Sequence, residues 1–483
     1  MRLAPGMLRV AFAGLLILVV SGSAAATASA ARPFSTGVTV MDLGNQEQLG
    51  YDRIESAGAS FTRVTAIWSA VAPKSEPASW DPADPADPNY DWTSTDTIIQ
   101  RAAAAGLTPL VQVFSAPSWA ERCKDGGGGI CNPDPEQFAR FSAAAAKRYN
   151  GNFEGLPRVR FWEPWNEPNL YSSFLPQYNG KKKVSPDLYR ELLNRFSGAV
   201  KAVDPGNVVV AGGLAPLGGE GALSPLDFAR RLLCMEGRRK PRPIRRCEQT
   251  ARFDVWATNP YTSGGPTHES IAADDVQLGD LPEVSKLLKA AKASGKIRTT
   301  SKKVGFWVTE FSWDSSPPDP GGVPMGLLTR WTAEAMFRSW QAGVSNFFWL
   351  TLRDWARPDG LRYNQTIDAG LWFRGPTIAD DRPKRVVKAF RFPFVAFTQP
   401  QGISVWGRTP DSEPGKVTRT YRRGKLKKRI GVIKADRNGV FSSRIRTRLG
   451  RNSRGSVTAK YSGEFSPAFS LRLVRDRYQS PFG

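Results

Sequence analysis

The sequence predicts an α/β fold, a closed (β/α)8 TIM barrel followed by a small C-terminal all-β sandwich, on three observations. Short apolar runs alternate with amphipathic helical patterns over roughly 350 residues. The runs are mostly continuous rather than alternating, as strands covered on both faces require. Near Phe390 the pattern changes to short strands punctuated by turn residues. A doubly wound open sheet is the alternative, but no G-x-G-x-x-G or Walker sequence accompanies any run.

The eight predicted strands are 37–42, 60–68, 108–114, 158–164, 207–212, 253–258, 304–310 and 344–350. Between them, helix 97–105 ends at Gly106, and helix 135–149 starts after Asn132-Pro133-Asp134. Helix 186–203 has Pro186 in its first turn and stops before Asp204-Pro205-Gly206. Helices 281–293 and 327–342 each end before a glycine. The barrel is therefore expected over 31–395 and the sandwich over 400–483, with Asn438-Gly439 as a hairpin signal inside the latter.

The first thirty residues stand apart from this fold. Arg2 and Arg9 flank a short apolar run, 10–20, and Ala28-Ser29-Ala30 forms a small-residue cleavage site. Residues 1–30 thus read as a signal peptide, with Ala31 as the mature start and a secreted, extracellular destination. The run is too short to span a bilayer, and no membrane insertion is expected. Export makes the four cysteines legible: Cys123 with Cys131 and Cys234 with Cys247 are the simplest pairs, each closing a local loop beside the cleft. With one histidine, His268, and no C-x-x-C, the sequence offers no metal site. His268 reads as a surface residue in a polar loop.

Charge is uneven. The chain carries 67 Lys and Arg against 44 Asp and Glu, net +23. From residue 401 onward the count is 20 against 5, hence +15 in the sandwich. In an exported protein that points to an anionic cell-wall polymer rather than nucleic acid, with a merely solvated face as the rival.

Side chains at the C-terminal ends of barrel strands face the catalytic mouth. Strand four ends in "FWEPWNEPN", which supplies Glu163, Asn166 and Glu167; strand seven supplies Glu310. Strand two carries Arg63, strand six ends at Asn259-Pro260-Tyr261, and strand eight carries Trp349. Two carboxylates from opposite sides of one mouth are what glycosidic cleavage needs, one protonated and one ionised. No cofactor is required. Pro164 and Pro168 fix the strand exit, with Trp165 as a wedge against the barrel wall, and Glu163 is expected in a buried ion pair.

Trp165-Asn166-Glu167-Pro168 at strand four, with Glu310 143 residues later at strand seven, resembles clan A of the retaining glycoside hydrolases. The likeness is to the cellulase-like family five and xylosidase-like family thirty-nine branches. The end of strand three departs from many members, reading Phe114-Ser115-Ala116 where they place histidine or asparagine. The resemblance implies Glu167 as acid/base, Glu310 as nucleophile and Asn166 as the partner of the sugar 2-hydroxyl. It further implies Tyr261 and Arg63 beside the nucleophile and Trp349 as an indole floor. Trp119 is read either as a sugar platform or as loop packing. The expected substrate is a polysaccharide or oligosaccharide; a non-catalytic carbohydrate-binding protein and an envelope transglycosidase are the rivals.

Overall fold

The computed structural model describes residues 32–41, 47–123, 127–446, 454–476 and 478–481; the expected signal peptide, 1–30, lies outside them. Eight parallel strands close into a barrel and follow one another around the ring in chain order. They are β1 (Ser35–Thr39), β2 (Phe61–Ile67), β3 (Thr108–Phe114), β4 (Phe161–Pro164), β5 (Val208–Leu214), β6 (Val255–Thr258), β7 (Gly305–Val308) and β8 (Asn346–Leu350). All eight lie within or against the predicted runs.

A principal helix follows each strand: α1 (Gln48–Ser56), α2 (Thr93–Ala104), α3 (Pro135–Arg148), α4 (Ser185–Val203), α5 (Pro225–Leu232), α6 (Leu281–Ala293), α7 (Met325–Ala342) and α8 (Val386–Arg391). Local chemistry sets their ends. Asp134 caps α3 by accepting from the Glu136 and Gln137 amides, and α7 stops at Gly343 in the left-handed region. The short helices α1, α5 and α8 were not legible, because six to nine residues give too little periodicity. Among the described residues, no helix is long and apolar enough to cross a membrane.

The barrel interior is plugged beneath its mouth. Leu110, Val210, Val255, Ala257, Trp307 and Phe348 form a core of their own, with Phe61 edge-on and Phe161 tilted against Trp307. Gly37 of β1 has to be glycine here, since a Cβ would stand 2.5 Å from the Phe348 ring. Polar strand-end groups above this plug are thereby held off the apolar floor.

The C-terminal region forms two antiparallel sheets. One joins β9 (Phe394–Gln399), β10 (Gly402–Arg408) and β13 (Val440–Arg446). The other joins β11 (Gly415–Arg423), β12 (Leu426–Ala435), β14 (Ser456–Tyr461), β15 (Glu464–Phe465) and β16 (Phe469–Ser470). The first strand begins at Phe394, ahead of the expected boundary at 400. Asn438-Gly439 does make a tight turn, with Gly439 at φ +70°, but β12 and β13 then enter different sheets. The dipeptide encodes a turn and not the pairing of what flanks it. Hairpins form elsewhere, as β9–β10, β14–β15 and β11–β12, the last turned at Gly424.

Sandwich and barrel share one apolar core. Trp406 is fully buried against Phe34, Phe337 and Trp340, and Arg391 pairs with Glu464 across the seam. Residues 478–481 return to the barrel mouth, where the Asp314 amide donates to the Pro481 carbonyl at 2.7 Å. His268 is partly exposed at the surface, where its Nδ1 lies 2.7 Å from Asp476, whose other oxygen accepts from the Gly265 amide.

Both expected disulfides are formed, Cys123–Cys131 and Cys234–Cys247. The first pins the loop after β3, where Cys131 also bridges to Leu175 beyond β4. The second lies elsewhere than expected. It follows α5 on the return to β6, and Lys296, just past α6, donates to the Cys247 carbonyl. That position is on the barrel flank, away from the strand ends that form the mouth.

Candidate active site

The turn after β4 is built under backbone constraint. Trp165 and Glu167 both sit at positive φ, +73° and +41°, where side-chain-bearing residues are uncommon. Packing holds them there. The Trp165 ring is fully buried among Phe114, Phe138 and Phe174, and its Nε1 donates to the Ser173 carbonyl at 2.7 Å. The Trp165 amide donates to Val113 and the Glu167 amide to Gly213. Asn166 and Glu167 therefore project from a turn whose direction is set by a buried indole.

Arg63 of β2 is the hub. Its Nε donates to Glu163 at 2.6 Å, Nη1 to Glu310 at 2.5 Å and Nη2 to the Asn166 side-chain oxygen at 3.0 Å. Burial opposes its charge, but the carboxylates of Glu163 and Glu310 outweigh that and raise its pKa above the ordinary arginine value. Glu163 is fully buried, as the expected ion pair requires, and burial raises its pKa against the pull of Arg63. Its other oxygen has no hydrogen-bond partner among the described residues, and at Gly213 an added Cβ would stand 2.8 Å from it.

The two strand-end glutamates have different surroundings. Glu310 accepts from Arg63 on one oxygen and from the Tyr261 hydroxyl, at 3.0 Å, on the other. Glu167 accepts from the Asn259 amide at 3.0 Å. Burial, reinforced by the nearby Glu310 charge, pushes the Glu167 carboxyl up to about 8. The Tyr261 phenol is raised well above its usual range by burial and the same two carboxylates, so it stays a donor.

Asn259 and Gln112 complete the constellation and were missed as site residues. Asn259 is oriented by Thr309, which donates to its oxygen at 2.9 Å. Gln112 donates to the Trp165 carbonyl and to Asn166 at 3.0 and 3.1 Å. Gln112 is the one polar residue inside the apolar run "PLVQVF", the signal that would have found it. A cavity of about 400 Å³ opens onto Arg63, Gln112, Asn166 and Glu310, with Met41, Ile67 and Phe114 as an apolar wall.

Two expected indoles are not presented to that cleft. Trp349 is fully buried, its Nε1 donating to the Ala369 carbonyl at 2.8 Å, because the segment after β8 folds over it. It offers no face to a sugar. Trp119 is half-buried edge-on against Trp68 and Trp80 and donates to the Pro73 carbonyl at 2.8 Å, the loop-packing alternative. Tyr171, on the turn following Glu167, is 59% exposed and lies against Gly221.

The fold is shared with solved glycoside hydrolases. A monomeric beta-xylosidase from Caulobacter crescentus CB15 superposes with a TM-score of 0.51 at 17% identity, over 86% of this chain and 96% of that one. A family 39 glycoside hydrolase from Bacteroides cellulosilyticus WH2 gives 0.50 at 17%, over 86% and 79%. The GH39 enzyme from Xanthomonas axonopodis pv. citri gives 0.50 at 14%, over 86% and 92%. No family model matches the sequence, and no curated protein matches it.

Proposed function

We propose that this chain is an exported retaining glycosidase that cleaves O-glycosidic bonds of a polysaccharide or oligosaccharide by double displacement. The observation that carries the reading is a pair of carboxyls in one mouth with opposed surroundings. Glu310 accepts from the Arg63 guanidinium and the Tyr261 hydroxyl, while Glu167 is pushed up to about 8 and keeps its proton near neutral pH. The shared fold with the xylosidase and GH39 structures supports it, as do two disulfides consistent with an oxidising compartment.

In the first step a Glu310 oxygen attacks the anomeric carbon while Glu167 gives its proton to the departing glycosidic oxygen. The bond to the leaving group breaks as the glycosyl ester forms. In the second, Glu167, now anionic, takes a proton from water, whose oxygen displaces Glu310 with a second inversion. Arg63 and Tyr261 hold Glu310 between steps, and Asn166 meets the 2-hydroxyl.

The test uses the mature chain on aryl glycosides and soluble glycans. Glu310→Gly should lower turnover by about 10⁴-fold or more and recover part of it with azide, giving a glycosyl azide of inverted configuration. Glu167→Ala should spare activated aryl leaving groups far more than natural ones. Near-normal turnover of a natural glycan by either variant would overturn the assignment. Absence of turnover by the wild-type chain on every glycan it binds would favour the non-catalytic rival.

A further inference from the structure

The β11–β12–β14 sheet of the sandwich carries a basic outer face without acidic partners. Val417, Arg419 and Tyr421 of β11 are buried, so Lys416, Thr418, Thr420 and Arg422 point outward. The pairing register places Lys434 opposite Lys416, Arg429 opposite Thr420, Lys427 opposite Arg422, and Lys460 of β14 opposite Thr418. Those six cations are all exposed, and among the described residues none forms an ion pair. Between them lie the hydroxyls of Thr418, Thr420, Thr458 and Ser456, together with exposed Val432 opposite Thr418.

This arrangement opposes folding. Lys416–Lys434 and Arg422–Lys427 are like charges directly across a ladder, a placement that destabilises a sheet. A merely solvated face has no use for such pairs, since interspersed acids would keep it equally wetted. We propose that this face is a docking surface for a linear acidic polysaccharide, its cations meeting carboxylates and its threonines meeting sugar hydroxyls. With Phe465 as its exposed aromatic among the described residues, the sheet lacks the row of stacking rings that single-stranded nucleic acid uses. The inference is independent of which bond the barrel mouth cleaves.

The experiment is co-sedimentation or affinity electrophoresis of the full mature chain with polygalacturonate, alongside neutral galactan and duplex DNA. One variant combines Arg422→Glu, Lys427→Glu and Arg429→Glu. A second makes the same change in charge in the disulfide-closed loop, as Arg238→Glu, Arg239→Glu and Lys240→Glu. The face variant should bind polygalacturonate at least about tenfold more weakly and the loop variant within about twofold of wild type, because opposed fields act locally. Wild-type binding should weaken by about tenfold or more between roughly 50 and 200 mM salt. Arg422→Glu alone should raise the thermal midpoint, since it sets an acid opposite Lys427, which separates loss of binding from loss of fold. Equal weakening in both triple variants, full binding by the face variant, a lowered midpoint for Arg422→Glu, or duplex DNA held as tightly as polygalacturonate would each overturn the proposal.

Discussion

Arg63 and Arg408 are both buried guanidinium groups, one in the barrel mouth and one in the seam between barrel and sandwich, and their surroundings are opposite. Arg63 meets two carboxylates and an amide oxygen, and its charge is stabilised. Arg408 donates from Nη2 to the Gly58 carbonyl at 3.0 Å, while its Nε and Nη1 have no hydrogen-bond partner among the described residues. Burial, helped by the nearby Arg391 charge, pushes its pKa down to about 10. The backbone closes tightly over it, since Gly58 is at φ +84° and an added Cβ would stand 2.9 Å from the Pro410 carbonyl. Burial alone therefore does not mark a working charge. What distinguishes a site from a seam is whether the surrounding groups were assembled to use the charge.

The sharpest way to break this contrast is Arg63→Met. It strips Glu163 and Glu310 of their common cation, and should cost about 3–5 kcal/mol in denaturant unfolding. Turnover should fall by about 10²–10³-fold. Unchanged stability would show that the hub does not hold the carboxylates.

Proton linkage comes next in size. The folded Glu167 carboxyl stands at about 8 against an ordinary 4.5, so the folded state binds the extra proton. Its contribution to stability is complete below about pH 4.5 and lost as pH rises through about 8; Glu163, raised in the same direction, adds to that slope. Activity should fall on the alkaline side with an apparent pKa near 8, because the leaving group then lacks its proton. In Glu167→Gln, an activated aryl substrate should be turned over with that limb gone. Persistence of the limb would assign it to another group.

The smallest effect is expected in the seam. Arg408→Met keeps the apolar stem, removes a poorly partnered charge and should leave stability within about 1 kcal/mol or raise it. A loss greater than about 2 kcal/mol would mean that the single bond to Gly58 anchors the sandwich, and the comparison would fail.

The barrel was legible because its strands are long enough to read as apolar runs and each is punctuated by Gly, Pro or Asp. Glu167, Asn166, Glu310 and Tyr261 were legible as candidates because they follow the last residues of strands four, seven and six, whereas Arg63 lies in the first half of β2 and was placed beside Glu310 only by the resemblance. Trp349 does not form the floor the resemblance implies, for a physical reason: it lies at the end of β8 as expected, but the loop after β8 covers it, and loop closure has no period to read. The same holds for the Asn438-Gly439 turn and for the second disulfide. There the local bonds formed as expected, while the paths of the flanking chain were set elsewhere.

By itself the sequence determined the barrel, its strand-end carboxylates, the cysteine pairs and a basic sandwich, since each rests on contacts between near neighbours or on a fixed periodicity. Only the tertiary structure decided that Arg63 joins Glu163 to Glu310, that Asn259 holds Glu167, and that six cations share one face of a sheet. Those facts depend on which distant strands lie side by side, and side-chain pairing across strands is fixed by register, which no single strand encodes.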